Sequence, residues 1–276
     1  MIRAAGTALL TLIGLATSAA AQGVLVAPHA VVIDHRTRSA AITLYNPGSE
    51  PAEVTIATFF GYPVTDSTGD FELATPTAPG ALPSAAGWVE AYPRRTVIGP
   101  LERQTVRLLA RTPNGLADGE YWTRIMITAT GGRAPVVVDS APAGIQVGLN
   151  LEVRTIIPLQ YRKGSVTTGA QLERPRVTRV GDSLLVRARM VRQGNAAFVG
   201  TARGTLVDAG NRVVGAFSVP LAVYTEIDPR FTLSVSGLPA GRYRLVLELT
   251  AERADLPPEQ ILKASPSSTD VDVVLP

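Results

Sequence analysis

The 276 residues include no cysteine. That excludes disulfide staples, thiol catalysis and cysteine-ligated metals, and it leaves packing alone to stabilise any exported form of the chain. Histidine is nearly absent as well: His29 and His35 are the two present, with no third ligand at a spacing that would complete a zinc site. His35, beside Arg36 and Arg38, reads as a turn residue, and no metal is expected. Charged residues make up 18% and aromatics 5%, which argues against long solvated helices. The formal net charge is +3 and no basic run is interleaved with aromatics, so nucleic acid is not an expected partner. Gly-x-Ser-x-Gly, a Walker loop and a dinucleotide-binding glycine pattern are all missing. Asp118 and Glu120 flank a turn glycine, where acids are usually solvated, and Trp88 and Trp122 read as core residues. The expectation is a protein that is not an enzyme and carries no cofactor.

What is abundant is 25 glycines, 21 prolines and 46% hydrophobic residues, a profile of many short strands joined by turns. Met1-Ile2-Arg3, an apolar run from Ala4 to about Ala16 and then Ala19-Ala20-Ala21 read as a cleavable secretory signal peptide. The run is short for a membrane span, and no second candidate follows. Period-two alternation recurs downstream: Ala40, Ile42 and Leu44; the stretch Glu53–Phe59; Gln104–Leu109; Tyr121–Thr130; Leu184, Val186, Ala188 and Met190; and Tyr243, Leu245, Leu247 and Leu249. Gly61–Ala86 reads as a long loop with room for one hairpin, and Gly131–Gly144 as a Gly/Pro-rich break. About Pro257–Leu262 one helical turn is expected.

Leu116-Ala117-Asp118-Gly119-Glu120-Tyr121 and Leu238-Pro239-Ala240-Gly241-Arg242-Tyr243 share a Leu-x-x-Gly-x-Tyr pattern. Each reads as a tyrosine corner, the glycine allowing a tight entry and the hydroxyl bonding back to nearby backbone. The chain is thus expected to be all-β, with two tandem immunoglobulin-like β-sandwich domains after a cleaved signal peptide. The expected divisions are residues 1–21, 22–160 and 161–276.

The longest regular alternation is Ile145, Val147, Leu149, Leu151 and Val153 against Gln146, Gly148, Asn150, Glu152 and Arg154. It suits a sandwich strand with one wet face. It equally suits a terminal edge strand that lends its apolar face to another protein.

Several segments are similar to the periplasmic pilus chaperones, the PapD-like proteins. Val31-Val32-Ile33-Asp34 with Ser39–Pro47 resembles their opening strands, Pro100 with Gln104-Thr105-Val106-Arg107-Leu108 their Pro-x-x-x-x-x-Val-Arg region, and Asp118–Trp122 the approach to their sixth strand. Ile157–Arg162 resembles the stretch leading out of their last first-domain strand. The likeness covers most of residues 24–164 and thins beyond.

This resemblance implies a periplasmic protein that binds incomplete β-sandwich subunits of a surface fibre by strand donation. The donor residues would be Ile145, Val147, Leu149, Leu151 and Val153, and Glu120 and Arg162 would form an interdomain ion pair. Whether an outer-membrane usher takes part is left open. One departure matters: where the family anchors its subunit's C-terminal carboxylate with two cations, this chain has His29-Ala30 and Pro158. The alternative reading is a structural or adhesive tandem sandwich of the cell envelope, without a chaperone cycle.

Overall fold

The computed structural model describes residues 23–135 and 148–276. The expected leader and the segment 136–147 lie outside the described residues. The first sandwich is built from β1 (Leu25–Ala27), β2 (Val31–Asp34), β3 (Ser39–Tyr45), β4 (Ala52–Phe59), β5 (Tyr62–Thr65), β6 (Phe71–Ala74), β7 (Val89–Tyr92), β8 (Arg95–Ile98), β9 (Arg103–Ala110), β10 (Gly119–Pro135) and β11 (Gly148–Lys163). The second is built from β12 (Thr168–Val180), β13 (Ser183–Gly194), β14 (Phe198–Asp208), β15 (Val213–Val223), β16 (Glu226–Ile227), β17 (Arg230–Ser234), β18 (Gly241–Thr250) and β19 (Ser267–Leu275). One 3-10 turn, Pro258–Gln260, stands where the helical turn was expected. Among the described residues no helix is long and apolar enough to cross a membrane.

In the first sandwich a sheet ordered β1-β3-β9-β7 faces one ordered β2-β11-β10-β4-β8. In the second, β12-β13-β16, with β17 also on β13, faces β15-β14-β18-β19. The alternating residues point where period two requires. Ile42 and Leu44 of β3, Val54 and Ile56 of β4, and Val106 and Leu108 of β9 fill one core. Leu184 and Val186 of β13 and Leu245 and Leu247 of β18 fill a separate one. The fold is therefore a tandem of two immunoglobulin-like β-sandwiches, each with its own hydrophobic interior.

Both tyrosine corners form. The Tyr121 hydroxyl donates to the Ala117 carbonyl at 3.0 Å, and the Tyr243 hydroxyl to the Pro239 carbonyl at 2.7 Å.

One local expectation is corrected, and one strand stands where no alternation announced it. Gly131–Pro135 is not part of a break: β10 runs through it by means of a register shift between Thr130 and Arg133. Gly131 takes φ +136°, and a Cβ there would lie 2.7 Å from the Pro51 carbonyl oxygen, so the glycine carries the strand past its neighbour. The strand β12 carries no clear alternation, because Glu173, Arg174, Arg176 and Arg179 interrupt it. A shift between Glu173 and Arg176, with Arg174 at φ 49°, absorbs the mismatch.

Candidate functional site: an open strand edge and the cleft beside it

Along one side β11 is paired with β10 from Lys163, opposite Gly119, to Gly148, opposite Pro135. Its other side meets β2 over only four residues, Leu159–Arg162 against Val31–Asp34. The edge from Gly148 to Pro158 has no strand partner among the described residues. Leu151 and Val153 lie on the same face as Ile157, Leu159 and Tyr161, which are buried in the first core. Toward the N-terminal end of the strand this face emerges from the sandwich: Leu151 is 43% exposed and Val153 is half-buried, where a Cβ at Gly23 would contact it. Leu149 is placed by its backbone, opposite Ala134. Ile145 and Val147 lie outside the described residues.

Glu120 and Arg162 are cross-strand partners on β10 and β11. The Arg162 Nε donates to the Glu120 carboxylate at 2.9 Å, with the Glu120 side chain fully buried. The other carboxylate oxygen accepts from the Trp122 indole N–H at 3.0 Å and from the Ala197 backbone N–H at 3.1 Å, so one acid ties two strands of the first sandwich to the second. Arg162 also donates to the Gln260 carbonyl at 2.8 Å. A buried carboxylate with three donors around it is a satisfied group. Beside it Phe60 and Trp122 of the first sandwich pack with Ala197 and Tyr224 of the second, forming a third small core between the two. The Trp122 and Tyr224 rings meet edge-on at 4.8 Å.

A cavity of about 520 Å³ opens between the sandwiches, next to the open edge. Ile156 and Pro158 of β11 and Phe71 and Leu73 of β6 give it apolar walls, and Arg124, Gln160 and Tyr224 supply polar groups. Arg124 is only 8% exposed. Its Nε donates to the Gly61 carbonyl at 2.9 Å, its guanidinium lies 5.2 Å from the centre of the Tyr224 ring, and among the described residues it makes no ion pair. Arg253, on the same cavity, is neutralised by Asp255 at 2.5 Å. Burial pushes the Tyr224 hydroxyl above the usual tyrosine range.

His29, Ala30 and Pro158 all line this cavity. The two positions at which the sequence resemblance would place cations thus face the cleft without a fixed charge. Arg124 is directly opposite Pro158 in the β10–β11 register. No motif singles out Arg124 in the sequence, although a lone arginine within Tyr121-Trp122-Thr123-Arg124-Ile125-Met126-Ile127 signals a charge inside a largely buried strand. The other histidine, His35, pairs through Nδ1 with the Tyr161 hydroxyl.

In form this is a tandem-sandwich protein with a cleft between its sandwiches and, beside it, a long strand that lacks a partner along part of one side among the described residues. No family model matches the chain, and no curated protein matches it. Among solved structures it is similar to the YadV chaperone, at 14% identity over 91% of this chain and 99% of that one, with a TM-score of 0.45. It is also similar to a chain of the CsuC–CsuE chaperone–tip adhesion subunit complex of Acinetobacter baumannii (14% identity, 82% and 93% covered, TM-score 0.44). A chain of the Salmonella enterica SafA pilin–SafB chaperone complex is a further match (15% identity, 90% and 96% covered, TM-score 0.42).

Proposed function

We propose that this chain is a periplasmic chaperone, exported by its N-terminal segment, that holds incomplete β-sandwich subunits of a surface fibre by lending them the edge of β11. The observation that carries this reading is the edge from Gly148 to Pro158, which has no strand partner among the described residues, on a strand whose apolar face emerges from the core at Val153 and Leu151. An open edge supplies backbone donors and acceptors to a partner strand, and alternating side chains supply register. Burying Leu151 or Val153 in a partner contributes about 1.5–3 kcal/mol each before ordering costs. Ile145, Val147 and Leu149 extend the same alternation. Glu120 and Arg162 set the angle between the sandwiches, and with it the position of the cleft relative to the donated edge.

Arg124 then takes the part that Ala30 and Pro158 cannot. It is a charged, nearly buried group on the cleft, without a carboxylate partner among the described residues, and it suits a client's terminal carboxylate.

The test is co-purification from the periplasm with wild type, Leu151→Asp, Arg124→Met and Arg124→Lys. Wild type is expected to capture a small β-rich partner that Leu151→Asp loses while remaining folded. Arg124→Met weakens capture and Arg124→Lys restores part of it. Retention of the same partner by a folded Leu151→Asp protein rejects strand donation at this edge and favours a structural tandem.

A further inference from the structure

The β5–β6 hairpin belongs by sequence to the first sandwich, yet its tip is bonded to the second. Arg230 donates its backbone N–H to the Gly69 carbonyl at 2.9 Å and its guanidinium to both Asp70 oxygens, at 2.9 and 3.2 Å. The Asp228 N–H donates to the Thr65 hydroxyl at 2.8 Å, and an Arg187 Nη to the Ser67 carbonyl at 2.9 Å. Those four contacts reach β13, the first residue of β17 and the segment joining β16 to β17, all remote in sequence from the link between the sandwiches at Gly164–Thr167.

The tip is preorganised for this contact. Asp66 accepts from the backbone N–H groups of Thr68 and Asp70, both at 2.9 Å, which closes the loop on itself. Gly69 takes φ +91°, and a Cβ there would stand 2.8 Å from both the Arg230 Cβ and its backbone nitrogen. Only glycine permits that approach. At the root of the hairpin, Arg124 holds the Gly61 carbonyl. Between root and tip, Pro63, Phe71 and Leu73 form one wall of the inter-sandwich cavity, with Phe71 46% and Leu73 37% exposed.

The linker and the buried contacts around Glu120 and Trp122 join the two sandwiches on one side, and two domains held so can still rock about that side. A further attachment at a distant point removes that freedom. We infer that the β5–β6 hairpin is a strap: it latches the first sandwich onto the second through Gly69, Asp70 and Arg230, and thereby fixes the width of the cleft it also walls. This inference concerns the two sandwiches of the free chain and stands whether or not the cleft holds a client.

The absence of native cysteine makes the test direct. Spin labels are placed on Thr105→Cys and Asp272→Cys, exposed positions on the two sandwiches, and the distance distribution between them is measured by pulsed electron resonance. In the otherwise unaltered chain one narrow distribution is expected. Replacing residues 62–74 with a short Gly-Ser turn removes the strap outright, and the distribution is expected to broaden at least twofold, with far-UV circular dichroism retaining its β signal. Gly69→Val, which keeps the hairpin and spoils only the latch, is expected to broaden it in the same direction, and it serves alone if the replacement fails to fold. Hydrogen exchange at residues 66–70 confirms release of the tip. A distribution that stays narrow in a folded protein whose tip has been removed or released overturns the inference.

Discussion

Glu120 and Arg162 stand opposite one another on neighbouring strands, 2.9 Å apart, and the same carboxylate reaches the backbone of Ala197 in the second sandwich. Three elements therefore depend on one buried charge. Removing one partner of such a pair leaves the other uncompensated, at about 3–5 kcal/mol. Glu120→Ala is expected to destabilise by that amount in urea unfolding. Glu120→Gln is expected to cost less, because an amide oxygen still accepts from Trp122 and Ala197.

The two tyrosine corners give a paired prediction. Tyr121→Phe and Tyr243→Phe each delete one hydroxyl bond of about 0.5–1.5 kcal/mol. Tyr243 is the more buried of the two, so its variant is expected to lie at the upper end. The corners belong to separate cores, and the double variant is expected to show the sum of the two losses within error. A coupling well above error would show that the two corners are energetically linked across the contact between the sandwiches.

Gly164 begins the link between the sandwiches at φ +61°, with the Asp118 carboxylate folded over it: a Cβ would fall 2.0 Å from the Asp118 Cγ. That carboxylate accepts from the Ser165 N–H at 3.1 Å and from Lys163 at 3.3 Å. Gly164→Ala is expected to destabilise by more than about 1 kcal/mol, since both the backbone and the space oppose it. Adding Asp118→Ala is expected to recover the steric part and leave the backbone part, which thermal unfolding of the four-member cycle measures.

Tyr224 supplies a pH prediction. Burial between the sandwiches raises its pKa above the ordinary 10.0. As pH climbs past about 10 the unfolded chain loses this proton first, so stability falls with pH until the folded-state value is reached. Tyr224→Phe is expected to flatten that alkaline slope in urea unfolding series. An unchanged slope would assign the alkaline loss to other groups.

Much of this architecture was legible in the residues. Alternation at Ile42 and Leu44, at Leu184 and Val186, and at Leu245 and Leu247 identified half-buried strands, because a pleated strand exposes every second side chain to one core. The repeated Leu-x-x-Gly-x-Tyr pattern identified both corners, since its chemistry is local and each bond closes over four residues. Strand β12 and the continuation of β10 through Gly131 were not legible. In both, a register shift lets the ladder pass residues that break the pattern.

By itself, then, the sequence determined the all-β class, the two corners and the alternating segment that ends in Leu151 and Val153, all of which rest on interactions within a few residues. Only the tertiary structure decided that the side of β11 before Leu159 lacks a strand partner among the described residues, because that depends on β2 meeting β11 over four residues. It likewise decided that Arg124 faces the cleft opposite Pro158, and that the hairpin between Tyr62 and Ala74 reaches Arg230 of the other sandwich. Those relationships join residues up to 163 positions apart, and no local periodicity encodes the packing that brings them together.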